Sequence, residues 1–306
     1  MSSEVGVLVM AHGTPRHPDE VLPFYTRIRR GNPPTPEQLA ELRARYDGIG
    51  GLSPLNERTA AQVRGLQRVL EGRAGDRYLI AYGAKHAEPF VEDAAALLQE
   101  SGVAKVIGLV LTPHGSAMGS EEYMARARAA LKPGIGFAEV TPWYAHPGLV
   151  RLLAARVTDA LGTVATAGQQ CPVLFTAHSV PERVRGTYPE QLAESARLVA
   201  DAAGVPGSMV MVAWQSAGRT ADEWLGPDVR DAVRELAASG RHHAFVVCPI
   251  GFVADHLEVL YDLDTELAAV ATESGLRMAR TASLNDDPAF LEVLADTVQA
   301  ADREGG

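Results

Sequence analysis

Short apolar runs alternate with amphipathic stretches along most of the chain. Strand-like runs fall at 5–11, 77–82, 104–112, 136–141, 172–177, 208–213 and 243–249, and the stretches between repeat their apolar residues at helical steps. Such alternation implies an α/β fold with parallel sheets wrapped by helices. The segment 162–170, GTVATAGQQ, is small, polar and aperiodic, which sets a domain boundary there: 1–163 and 170–306. Region 19–60 breaks the alternation. Helical stretches near 19–30 and 36–46 follow one another without a strand, and they end in the turn-rich GIGGLSP. A long insertion after a first strand is often a functional lid.

One stretch stands out, Val246 to Val270. A β-prone run stops at Pro249, and the spacing predicts one helix opened by Asp255, with Leu260, Leu263, Leu267 and Val270 as its apolar stripe. Glu258, Asp262 and Glu266 stand four apart, drift only about 40° per step and share a face away from that stripe. No Lys or Arg lies at i±4 to neutralise the row. Glu258 falls on the first turn after a strand end, where open α/β folds bind ligands. A carboxylate placed there can hold a divalent cation or relay protons; the plain alternative is a solvated acidic face.

An internal repeat selects two histidines from nine. Val7–Pro15 reads VLVMAHGTP and Val173–Pro181 reads VLFTAHSVP, an offset of 166 residues that equates His12 with His178. Two similar halves facing each other bring both rings to one cleft. His178 with Glu258 suits Fe²⁺, Zn²⁺ or Co²⁺ and also proton abstraction near neutral pH. His86 lies between a strand and a helix, on the cleft rim or in a structural role. His256 falls toward the apolar stripe and reads as a core or supporting residue, and His114 ranks below the others.

Composition narrows the classes. With 306 residues, 46% hydrophobic and a net charge of −10, the chain is a globular protein and a poor general partner for nucleic acid. Cys171 and Cys248 read as buried thiols, without a disulfide or cluster-binding set. The N-terminus lacks a signal-peptide pattern and no run suits a transmembrane helix, so a cytoplasmic location is expected. Walker, GxGxxG, GxSxG and HExxH motifs are absent. Against the acidic background, Arg27, Arg29, Arg30, Arg43 and Arg45 cluster in the insertion, which suits anionic ligand groups or ordinary helix-surface pairing.

GVLVMAHGTP, FYTRIRRG, RYDGIGGLSPL, AYGAKHAEPF, FTAHSVPERV, WQSAGRTADEWLGPDV and PIGFVADHLEVLYDLD together resemble the ferrochelatase family, in its soluble coproporphyrin branch, in family order over nearly the whole chain. The resemblance implies two flavodoxin-like (Rossmann-like) domains around a porphyrin cleft, and insertion of Fe²⁺ into coproporphyrin III in haem biosynthesis. By position it implies His178 and Glu258 as the catalytic, metal-side pair, and Asp262 and Glu266 as a proton or metal trail. It further implies His12, Arg29, Arg30, Arg45, Tyr46, Ser53 and Tyr123 as porphyrin contacts. His12 departs from the Tyr common in soluble bacterial members. Iron is expected as substrate, with no resident cofactor or iron–sulfur cluster. The chain is expected to be a monomer with other haem-pathway enzymes as partners. Two further readings stay open: a chelatase for another pair (protoporphyrin IX with Fe²⁺, or sirohydrochlorin with Co²⁺), and a non-catalytic haem or porphyrin carrier with His12 as axial ligand.

Overall fold

The computed structural model describes residues 4–165 and 170–304. Among these described residues, eight strands form two parallel four-stranded sheets. The first contains β1 (Val5–Ala11), β2 (Tyr78–Ala84), β3 (Lys105–Val110) and β4 (Gly136–Glu139), ordered β2-β1-β3-β4. The second contains β5 (Val173–His178), β6 (Val210–Gln215), β7 (Ala244–Cys248) and β8 (Arg277–Arg280), ordered β6-β5-β7-β8. Both orders have the same form, so the repeat marks a duplicated topology, with β1 and β5 in equivalent places. β1 is buried along its whole length, as a strand covered on both faces must be.

Among the described residues eleven α-helices accompany the strands: α1 (Val21–Ile28), α2 (Pro36–Gly48), α3 (Leu55–Ala74), α4 (Val91–Glu100), α5 (Glu122–Ala130), α6 (Pro147–Val164), α7 (Tyr188–Ala202), α8 (Val229–Ala238), α9 (Leu257–Leu260), α10 (Ala268–Glu273) and α11 (Pro288–Glu304). α1 and α2 occupy the insertion, as its pattern implied. α2 begins with a capping box, Thr35 accepting from the Gln38 amide while the Gln38 side chain accepts from the Thr35 amide.

Helix placement crosses the division at 163–170. α6 packs on β7 and β8 of the second sheet, whereas α11 returns to α3, β3 and β4 of the first. Asp302 of α11 takes bonds from Arg77, Tyr78 and Lys105, and Arg73 reaches Glu292 and Asp296. One apolar cluster joins Val7 and Val9 to Phe175, Val246 and Phe290, so the two sheets share a core. The expected boundary segment 162–170 also differs at its start: residues 162–164 finish α6, and 166–169 lie outside the described residues.

Two sequence expectations need correction. The single helix from Asp255 is broken: α9 starts at Leu257, a π-helical turn covers Asp262–Leu267, and α10 follows. Asp255 instead accepts bonds from Ser283 and Asn285. Of the proposed stripe, Leu263, Leu267 and Val270 are buried, but Leu260 is only half-buried. Cys248 is buried, while Cys171 is half-buried and free.

Candidate active site

In each sheet the chain reverses its strand order beside the first strand of the half, and the crevice beyond those strand ends is the expected ligand site. His12 follows β1, His178 ends β5, and the segment bearing Glu258 leaves β7, the strand beside β5. The repeat and the acidic stretch therefore converge on one cleft.

Two glycines allow the approach. A Cβ on Gly251 would lie 2.5 Å from Ala177 Cβ, so only glycine lets the segment after β7 lie against β5 next to His178. The Gly251 amide also donates to the Thr176 carbonyl at 3.1 Å. Gly13 has φ of +76°, and a Cβ there would meet Ala84 at 2.7 Å. That turn sets His12 beside His86, with ring centroids 4.7 Å apart.

His178 Nε2 lies 3.5 Å from Glu258 Oε1, and His256 Nε2 lies 3.6 Å from Glu258 Oε2. Each ring fixes its other nitrogen on a main-chain carbonyl, His178 Nδ1 to Ser179 at 2.5 Å and His256 Nδ1 to Ala254 at 3.0 Å. Both rings thereby direct Nε2 toward one carboxylate. His256 was misplaced by its helical reading. It precedes α9 with extended dihedrals, φ −157° and ψ 178°, which turns its ring to Glu258 rather than to the apolar stripe. Side chains of His178 and Glu258 keep 38% and 31% exposure, so the pair remains open to the cleft.

The electrostatics follow from that geometry. For His178, burial disfavours the charge, but the Glu258 carboxylate and its hydrogen bond outweigh it and take the ring up to about 9. Burial works against the Glu258 carboxylate too, yet His178 and His256 hold it well below the usual range. The Glu258 charge also acts on His12, Arg45 and Tyr46, pushing the pKa of each upward. His12 is exposed at the end of β1; desolvation by the surrounding protein is the largest influence on its ring and lowers its pKa, which favours the neutral imidazole, the form able to ligate a metal. His86 is driven down to about 3 by burial and then by His12.

The carboxylate row is divided by the π-helical turn. Asp262 is buried, accepts short hydrogen bonds from Arg45 and Ser216, and has its pKa raised to about 6, chiefly by burial against the opposing pull of Arg45. Glu266 lies farther out, half-buried, with Arg230 at 3.7 Å. The cations absent at i±4 are supplied from remote sequence.

The remaining predicted contacts separate. Arg45 pairs with Asp262 and lies 5.1 Å from the Tyr261 ring centroid. Tyr46 is buried with Val21 and Leu257, its hydroxyl 3.4 Å from Thr14 Oγ1. Ser53 Oγ accepts from the Leu55 amide at the start of α3. Tyr123 packs in the core of the first half, its ring 5.2 Å from Lys85 Nζ. Arg29 donates to the Asn32 carbonyl, and Arg30 is exposed at the end of α1. The insertion is tied across the cleft by a two-pronged Arg219–Glu41 pair, at 2.6 and 2.5 Å.

Comparison with known proteins agrees with this arrangement. The family model described as Ferrochelatase matches residues 4–302. A coproporphyrin III ferrochelatase of Listeria innocua is 41% identical, covering 97% of this chain and 98% of its own, and that of Bacillus subtilis is 40% identical, covering 96% and 97%. The solved sirohydrochlorin chelatase of Bacillus subtilis subspecies spizizenii, in complex with cobalt, has the same fold with a TM-score of 0.60 at 12% identity, covering 98% of this chain and 96% of that one. Sequence likeness over nearly the full length, on a fold of two facing parallel sheets, shows that this chain belongs to the ferrochelatase family.

Proposed function

We propose that the protein inserts Fe²⁺ into coproporphyrin III. The observation that carries the reading is the His178–Glu258 pair, 3.5 Å apart and open at the switch-point cleft, in a chain 41% identical to an enzyme of that name. Insertion exchanges two pyrrole protons for the metal, so the site must take up two protons and present a cation. Resting His178 is charged at neutral pH. Fe²⁺ arriving at the Glu258 carboxylate withdraws the support of that charge and releases the His178 proton to solvent, which leaves a neutral base facing the ring. His178 takes one pyrrole proton, and Asp262, ionised at neutral pH with a pKa of about 6, takes the second and passes it outward past Glu266 to solvent. His12, at the repeat-equivalent strand end of the other half, is the candidate ligand on the opposite face of the porphyrin.

Iron is the substrate here, with no resident cofactor; two cysteines cannot supply a four-thiolate cluster. Their free state suits a reducing cytoplasm. Among the described residues no helix is long and apolar enough to cross a membrane. We place the enzyme as a monomer that passes its iron porphyrin to other haem-pathway enzymes.

The test compares initial insertion rates for coproporphyrin III and protoporphyrin IX under conditions that keep both monomeric. Arg30 is exposed and Arg29 half-buried, so each propionate contact is worth only about 0–1 kcal/mol. Four propionates should therefore give about ten-fold higher kcat/KM than two, and added salt should narrow the gap. Equal or greater efficiency with protoporphyrin IX sinks the coproporphyrin assignment.

A further inference from the structure

We infer that Gln215 is a positioning residue for metal insertion: its side chain fastens the backbone of Glu258 to the strand that carries His178. The inference rests on the reading of His178 and Glu258 as the reacting pair. Gln215 is the last residue of β6, directly opposite His178 in the parallel register, and is 1% exposed. Its Nε2 donates to the Glu258 carbonyl at 2.9 Å, and its Oε1 accepts from Thr176 Oγ1 at 2.9 Å. Its main-chain carbonyl also accepts from the Ser179 amide at 2.8 Å, next to the carbonyl that orients the His178 ring. One buried residue thus holds both partners of the pair.

The need for such a brace follows from the π-helical turn. α9 closes two α-type bonds, Leu260 to His256 and Tyr261 to Leu257, and the helix then changes pitch. The Glu258 carbonyl at that junction accepts the Gln215 amide. The next residue, Ser216, has φ of +59°, and its hydroxyl reaches Asp262, so the end of β6 grips the acidic segment at two carboxylate-bearing residues. Gln215 is buried beneath Glu258 and its amide is spent on the protein, so it acts through Glu258.

The test uses Gln215→Met, which keeps volume and removes both hydrogen-bonding groups, beside Thr176→Val and Thr176→Ser. Gln215→Met should lower kcat for iron insertion by about ten- to a hundred-fold, the effect of a misplacement near 1 Å, with porphyrin Kd changed less than two-fold. Thr176→Val should reproduce part of the loss and Thr176→Ser should restore it, which keeps the test decisive if Gln215→Met fails to fold. In a Glu258→Gln background, Gln215→Met should cost less than two-fold further, because both changes strike one function. Unchanged kcat in Gln215→Met, or equal loss of kcat and porphyrin binding, or additive losses in the double variant, overturns the inference. Full turnover in Glu258→Gln alone instead overturns the reading beneath it.

Discussion

Replacing Glu258 by glutamine should turn His178 from a charged to a neutral residue at neutral pH. In the native protein, burial pulls the ring pKa down, but the carboxylate 3.5 Å away raises it to about 9. A neutral amide keeps the shape and removes the largest opposing charge, leaving only the Ser179 carbonyl and the Asp262 charge against burial, so the pKa falls well below its native value. At pH 7.5 the neutral fraction of His178 is about 3% in the native protein, and it becomes the larger fraction in the variant. The sign for stability follows. A histidine raised above its unfolded value stabilises the fold fully below about pH 6.5 and loses that contribution as pH rises through about 9. Glu258→Gln should remove this alkaline loss. The assay is an NMR titration of ring-labelled histidine between pH 5 and 10, with His178→Ala to assign the signal. His178 titrating at or below 6.5 in the native protein, or at the same pH in both proteins, refutes the argument.

Other outcomes follow from the cleft. His12→Tyr should keep insertion activity but change the absorption spectrum of the bound iron product, since phenolate and imidazole give iron different ligand fields; identical spectra show that residue 12 does not touch the metal. Asp262, raised to about 6 from an ordinary value near 4, binds a proton more tightly folded than unfolded, so it makes stability fall as pH rises through about 4 to 6. Asp262→Asn should flatten that slope in Tm, and Arg45→Met should extend it above pH 6; identical Tm profiles in all three proteins would count against the buried pair.

The fold was legible where burial imposes a pattern. Seven strands were readable from short apolar runs, β4 (GFAE) among them despite its exposed ends, whereas β8, RMAR, escaped because arginine at both ends leaves no apolar run. The repeat led directly to His12 and His178, because duplicated topology keeps strand ends in register. Partnerships across the cleft were beyond any spacing argument: Arg45 and Asp262 are 217 residues apart, and nothing local marks arginine for a buried carboxylate. The π-helical turn also escaped, since apolar residues at three- and four-residue steps look alike for a helix with or without a change of pitch. His256 carried a usable signal, the HxE spacing ahead of a first turn, but reading it requires knowing that the helix starts at Leu257 rather than Asp255.

The most direct measurement is multiple-turnover iron insertion. Native protein, His178→Ala and Glu258→Gln are mixed without oxygen with a ten-fold excess of coproporphyrin III and Fe²⁺, and the Soret and Q bands are followed. The native protein should convert several equivalents. Each variant should be slower by at least about a hundred-fold, the range for losing a positioned acid–base group, while binding porphyrin within a few-fold of native. Conversion that stops at one equivalent in the native protein would identify a carrier and contradict the account, and full turnover in either variant would remove that residue from the chemistry.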